Sequence, residues 1–130
     1  MTFDLTFIGH IETPFQSLGD CPNNVQADGP RCDIVLGSRF AQGLLGLETG
    51  QTILVLYWLE GVDRNLLIQH RGGRSDSIPR GVFALRSPHR PNPIAAARVQ
   101  IEAITDGRVK VRGMDCLNGT RLLDIKPDTK

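Results

Sequence analysis

Apolar residues fall at every second position in several short stretches of this 130-residue chain, the period of strands with one face toward a core. Leu5, Phe7, Gly9 and Ile11 alternate in this way and predict a strand that stops at Thr13-Pro14, where proline removes a ladder donor. The run from Thr52 to Leu59 is rich in β-branched and aromatic residues without polar interruption, which predicts a strand buried on both faces. Val82 to Leu85 is a further short candidate. Near the C-terminus, Ala97 to Thr105 and Arg108 to Met114 flank Asp106-Gly107, a pair suited to the type I′ turn of a tight hairpin. Asn118-Gly119 marks another turn, and Leu122 to Ile125 reads as a last strand ending at Pro127. Only Arg39 to Leu47 has helical spacing. Ser38 is placed to cap it and Phe40, Leu44 and Leu47 share one face, although Gly43 and Gly46 weaken it. Ser17 to Pro30 and Gln69 to Arg80 lack periodicity, and unpatterned segments of this length tend to carry function. Many short strands, frequent turns and one short helix predict a mainly β barrel or sandwich in a single domain.

Composition narrows the class. With 40% hydrophobic and 22% charged residues, the chain has material for one core and is not of the disordered type. The longest apolar run, Ile53 to Leu59, is far shorter than the roughly 20 residues of a membrane-spanning helix. The first residues carry acids rather than the basic region of a secretory leader. Cys21, Cys32 and Cys116 are too widely spaced for a disulfide framework or a paired zinc site. A reducing cytoplasm is the expected compartment, with no membrane partner.

The net charge of +1 conceals an uneven distribution. Residues 1–61 carry −5, residues 62–98 carry +5 and residues 99–130 carry +1. Arginines outnumber lysines twelve to three, and the guanidinium fork suits bidentate binding of carboxylate or phosphate. The same arginines also suit a solvated rim paired with the acids of the first segment.

The usual nucleotide-binding glycine fingerprints, the serine nucleophile elbow and the zinc-protease helix motif are absent, which disfavours a Rossmann fold. His10, His70 and His89 are far apart and predict no metal site. The unusual segment is Arg86-Ser87-Pro88-His89-Arg90-Pro91-Asn92-Pro93-Ile94. Its three prolines fix their own φ and push Ser87, Arg90 and Asn92 toward extended geometry, so the loop is rigid before any ligand arrives. It suits a site for an anionic or hydrogen-bonding ligand, and equally a stiff corner between strands. A second candidate is Met114-Asp115-Cys116-Leu117-Asn118-Gly119-Thr120, with Asp115 and Asp124 on either side of a turn and Lys126 following. Asp and Asn in such places also serve simply to hydrogen-bond the turn.

Together these segments resemble the TsaA-like family, whose best-described members are the TrmO tRNA methyltransferases. The resemblance rests on Ile8-Gly9 with Thr13-Pro14-Phe15, on Gly81 through Ile94, and on Asp115-x-Leu117-Asn118-Gly119-Thr120 followed by Leu123-Asp124-Ile125-Lys126-Pro127. It implies a single domain over residues 1–130, a six- or seven-stranded β-barrel with one short helix, usually homodimeric, that binds S-adenosyl-L-methionine without a Rossmann fold. The implied reaction is methylation of N6 of threonylcarbamoyl-adenosine next to the tRNA anticodon. Carried over by motif, the cofactor-binding residues are Thr13, Pro14, Phe15, Arg86, Gly113, Met114, Asp115, Cys116 and Leu117, with Gln51 and Thr52 corresponding more loosely. His89, Arg90, Asn92 and Lys126 are substrate-binding candidates, and Asp115 and Asp124 are candidate proton acceptors for a nitrogen that is a poor nucleophile while protonated. The competing reading is a non-catalytic barrel that binds the cofactor or RNA. Aromatics make up only 5% of the chain and several lie in predicted strands, so RNA contact is expected to rest on Arg71, Arg74 and Arg90 and on both subunits of a dimer.

Overall fold

Alternation in the sequence becomes the inner face of a sheet in the computed structural model, which describes residues 2–70 and 78–128. Among the described residues nine strands follow one another: β1 (Gly9–Glu12), β2 (Arg31–Leu36), β3 (Thr52–Trp58), β4 (Ile68–His70), β5 (Pro79–Gly81), β6 (Ile94–Gln100), β7 (Ala103–Thr105), β8 (Arg108–Arg112) and β9 (Thr120–Pro127). Seven of them form one sheet in the order β6-β3-β9-β1-β2-β8-β7, and β4 and β5 form a separate ribbon. The chain divides into two compact units, residues 1–57 with 96–130, and residues 58–95.

In the first unit the inward positions are Ile11 on β1, Ile34 on β2, Ile53 and Val55 on β3, Val109 and Val111 on β8 and Leu122 on β9, all 0% exposed. Full burial of each such side chain contributes about 1.5–3 kcal/mol, which makes this row the main driving force for the sheet. Antiparallel pairing sets the register: Ile11 lies opposite Ile34, and Ile34 opposite Val109. At the hairpin, Thr105 pairs with Arg108, and Asp106 and Gly107 both take positive φ (48° and 76°), the type I′ geometry expected from their identities.

Mainly β with almost no helix is therefore the observed class, with several departures from the pattern reading. The seven-stranded sheet has two ends, β6 and β7, with no ladder between them. The stretch expected to form a helix over Arg39 to Leu47 makes one 3-10 turn at Ala41–Leu44, and no α-helix occurs among the described residues. Its N–H groups reach back three residues, Leu45 to Gln42 and Leu47 to Leu44, and Leu45 already has extended ψ of 124°. Val82–Ala84 is likewise a 3-10 turn rather than a strand. On β3 only Ile53, Val55 and Tyr57 are buried while Leu54, Leu56 and Trp58 are half-exposed, so one face meets the core instead of two. The first strand is confined to four residues, and β2 is an element outside the pattern reading although Cys32, Ile34 and Leu36 alternate inward. The predicted continuous strand Ala97 to Thr105 breaks at Ile101 and Glu102. There Ile101 N–H turns to Gln51 O at 2.9 Å and Glu102 N–H to Lys110 O at 2.8 Å.

The outer face of β1, β2 and β8 is charged. Arg108 donates to Glu12 at 2.8 Å and to Asp33 at 2.9 Å, and His10 lies 3.0 Å from Glu12. The hydrogen bonds from His10 and then Arg108 hold the Glu12 carboxyl below its usual range. These exposed pairs organise the surface more than they stabilise it. Among the described residues no helix is long and apolar enough to cross a membrane.

Candidate functional site

Two segments of the first unit, far apart in sequence, are clasped by hydrogen bonds that run between their loops. Thr13, buried as β1 ends, donates from Oγ1 to the carbonyl of Cys116 at 2.8 Å, and that hydroxyl accepts the N–H of Phe15 at 3.2 Å. Thr13 N–H in turn reaches Asn118 Oδ1 at 3.1 Å, while Asn118 N–H returns to Phe15 O at 2.8 Å. Thr120 Oγ1 closes the second loop onto Leu117 O at 2.7 Å. A buried hydroxyl and an asparagine thus replace the ladder where Pro14 prevents it, and they fix the Thr13-Pro14-Phe15 stretch against residues 116–118.

The second loop is seated from its other side by Gly113. Its N–H bonds Pro30 O at 2.9 Å, and its carbonyl accepts Gln26 N–H at 3.0 Å. With φ of +81°, and with Gln26 O only 1.5 Å from where a Cβ would stand, this position admits glycine alone. Met114 and Cys116 then point into the core, at 0% and 4% exposure, and Asp115 and Leu117 between and after them are half-buried. Asp115 Oδ1 accepts the hydroxyl of Tyr57 across a short 2.5 Å bond. Tyr57 was legible in the sequence only as a core residue of β3. A buried tyrosine hydroxyl nevertheless requires a polar partner, and that requirement was the available signal.

The thiols of Cys116, Cys32 and Cys21 are all shifted upward in pKa. Burial pushes the Cys116 thiol from 9.0 up to about 12, and Asp115, Cys32 and Cys21 act on it in the same direction. Burial also raises Cys32, against hydrogen bonds from Met114 and Gly113, and it raises Cys21, which feels Asp115. A thiol with a higher pKa in the folded state contributes stability that is complete below its unfolded value and is lost as pH rises through the folded value. Stability is therefore expected to decline above the unfolded value of 9.0. The slope approaches roughly 1.4 kcal/mol per pH unit for Cys116 alone. Urea titrations on both sides of that pH check it: Cys116→Ala should flatten the decline, and an unchanged slope would assign the decline to other groups.

The remaining predicted residues are distributed elsewhere. Gln51 and Thr52 open β3 at the end opposite Tyr57, which at about 3.3 Å per residue places Thr52 roughly 16 Å from that tyrosine. The Gln51 side chain instead closes its own turn by accepting Glu48 N–H at 3.2 Å. Asp124 and Lys126 lie on β9 and pair with each other at 3.1 Å. The proline-rich loop belongs to the second unit, where Arg86 and Asn92 are exposed. His89 Nδ1 accepts Asp63 N–H at 3.0 Å, which places the proton of the neutral ring on Nε2. Arg90 donates to Leu85 O at 2.8 Å and to Ser87 O at 3.2 Å, bracing its own loop. Arg71 and Arg74 lie outside the described residues. Among the described residues no group of three His, Cys, Asp or Glu is able to hold a metal ion.

Comparison with known proteins gives this arrangement a family. A probable S-adenosyl-L-methionine-binding protein, VirR of Rhizobium radiobacter, is 40% identical over 95% of this chain and 70% of its own length. The tRNA (adenine(37)-N6)-methyltransferase of Rattus norvegicus is 30% identical over 92% of this chain, which covers 29% of that protein. Among solved structures, TrmO from Pseudomonas aeruginosa superposes with a TM-score of 0.76 at 31% identity, covering 99% of this chain. The chain spans 57% of that solved protein, a little over half its length. The model of the tRNA-methyltransferase O N-terminal domain matches residues 10–130, from the second residue of β1 onward, and the chain belongs to that family.

Proposed function

We propose that this chain is an S-adenosylmethionine-dependent methyltransferase that acts on tRNA at N6 of threonylcarbamoyl-adenosine beside the anticodon. In this reading residues 1–130 work as one TsaA-like domain, in the cytoplasm and as a homodimer. The observation that carries the reading is the clasp between Thr13-Pro14-Phe15 and residues 113–118, the two segments that the family resemblance marks as cofactor-binding, joined although Thr13 and Cys116 are 103 residues apart. The names of the relatives support it: VirR is named for binding the cofactor and the rat protein for methylating adenine 37 at N6. The barrel implied by the resemblance is supported by the two end strands being one chain segment, β6 and β7, bent at Ile101-Glu102.

The side chains at the clasp have the chemistry to hold such a cofactor. The half-buried ring of Phe15 offers a face that attracts a cation such as a positive sulfur. Within the second unit, Arg86 carries a guanidinium suited to a carboxylate. When bound, the cofactor supplies an electrophilic methyl group on a sulfonium. As the nitrogen gains that methyl it must release a proton, and Asp115, held at Oδ1 by Tyr57, is the acceptor in this reading. Asp124 is engaged with Lys126 and with Ile125 N–H, which favours Asp115 of the two candidates. Alignment of nucleophile, methyl and sulfur supplies the rest of the acceleration.

The deciding experiment incubates the protein with methyl-labelled S-adenosylmethionine and total tRNA from a strain lacking the modification. Label is expected in the threonylcarbamoyl-adenosine of digested tRNA. Cofactor binding without transfer to any RNA would replace this reading with that of a binding module.

A further inference from the structure

The sparse aromatic content left few rings for RNA, yet two of them, Phe3 and Phe83, stand in the open, and of these only Phe83 has an arginine at its ring among the described residues. Phe83 is 75% exposed, carried on the 3-10 turn Val82–Ala84. The turn itself is fixed: Val82 is 1% exposed, its N–H bonds Leu67 O at 2.9 Å, and Leu85 N–H closes back onto Val82 O. Arg90 sits with its guanidinium carbon 5.9 Å from the centre of the Phe83 ring. That position is set by the two backbone carbonyls of Leu85 and Ser87 that Arg90 already bonds. A single exposed ring needs no explanation, but a ring and a cation held in place by their own loop do. A second pair lies beside this loop: Arg64, between β3 and β4, donates from Nε to Pro91 O at 2.7 Å and lies 5.3 Å from the ring of Trp58.

We infer that Phe83, flanked by Arg90, is a stacking platform for an unpaired RNA base. The inference rests on the reading that the chain takes tRNA, and adds to it the residue that engages a base. Three features favour RNA over a second protein surface. The described residues within 58–95 carry four arginines against two acids, a positive balance suited to phosphates. Arginine beside an aromatic ring is the combination that stacks bases and holds the backbone in single-strand binding. The rigidity of the turn means little ordering entropy is lost when a base arrives. Unpaired bases are also the part of a folded RNA that proteins read most readily.

The test uses two fluorescent probes at low salt, a short oligoadenylate and a short RNA duplex, with binding followed by anisotropy. Phe83→Leu is expected to weaken oligoadenylate binding about tenfold, the loss of one stacked base. Duplex binding should stay unchanged, and Phe83→Tyr should bind both probes as the unchanged protein does. Because Phe83 is exposed, its replacement should leave the thermal midpoint in place. Equal oligoadenylate affinity for Phe83→Leu and unchanged protein would overturn the inference, as would equal weakening on both probes. A change in sedimenting mass with unaltered RNA affinity would overturn it by assigning the ring to a second copy. If the unchanged protein binds neither probe, the tRNA reading itself fails and takes this inference with it.

Discussion

Asp115→Asn is expected to lower the turnover of methyl transfer by roughly 10²–10⁴-fold, the usual contribution of a positioned proton acceptor. Asparagine has the same shape and keeps an oxygen for the Tyr57 hydroxyl, so the loop around it should hold its geometry. What it loses is a carboxylate able to take up a proton, the role proposed for Asp115. The expected signature is a fall in kcat with the cofactor Kd, read by calorimetry, close to that of the unchanged protein. Tyr57→Phe should have a smaller effect, because it releases the carboxylate from one hydrogen bond without removing it. Should Asp115→Asn instead abolish cofactor binding, Asp115 is a ligand of the cofactor rather than the proton acceptor. Turnover near that of the unchanged protein would remove it from the chemistry altogether.

Gly113→Ala should produce the largest loss of stability among single methyl additions to the site. The left-handed backbone alone costs an alanine about 1–3 kcal/mol. At Gly113 the added carbon also meets the carbonyl of Gln26 at 1.5 Å, so the backbone of one segment must move. Moving it breaks the bonds Gly113 makes to Pro30 and Gln26 and unseats the loop carrying Asp115. The combined effect is expected to lower Tm by about 10 °C or more. Gly119→Ala is the control: its φ is +87°, but nothing lies within 4 Å of the added carbon, so only the backbone cost applies. Similar midpoints for the two proteins would mean that the contact with Gln26 relaxes freely.

Most of the strands could be read from the chain because their cause is local. Period-two alternation locates β1, the continuous apolar run locates β3, and the turns at Asp106-Gly107 and Asn118-Gly119 bound β8 and β9 to within a few residues, the first of them because both of its residues tolerate positive φ. The helical reading of Arg39 to Leu47 went astray for a physical reason. Phe40, Leu44 and Leu47 have the right spacing, but two glycines in nine residues leave little intrinsic preference, and the segment settles for one 3-10 turn. The supposed double burial of β3 failed because hydrophobicity states what a residue tolerates, while the position of its strand in the sheet decides which face meets the core.

The candidate site divides in the same way. Sequence alone marked the candidate segments: residue type and backbone constraint singled out the proline-rich loop and residues 114–120, and the family resemblance added Thr13-Pro14-Phe15 and Gly113. Only the tertiary structure decided how they are used. It clasped Thr13 to Cys116, turned Met114 and Cys116 into the core and gave Asp115 the hydroxyl of Tyr57. It also left Phe83 in the open with Arg90 at its ring. Each of these depends on register and burial between segments far apart in the chain, quantities set by the packing of the whole sheet and loop rather than by any window of sequence.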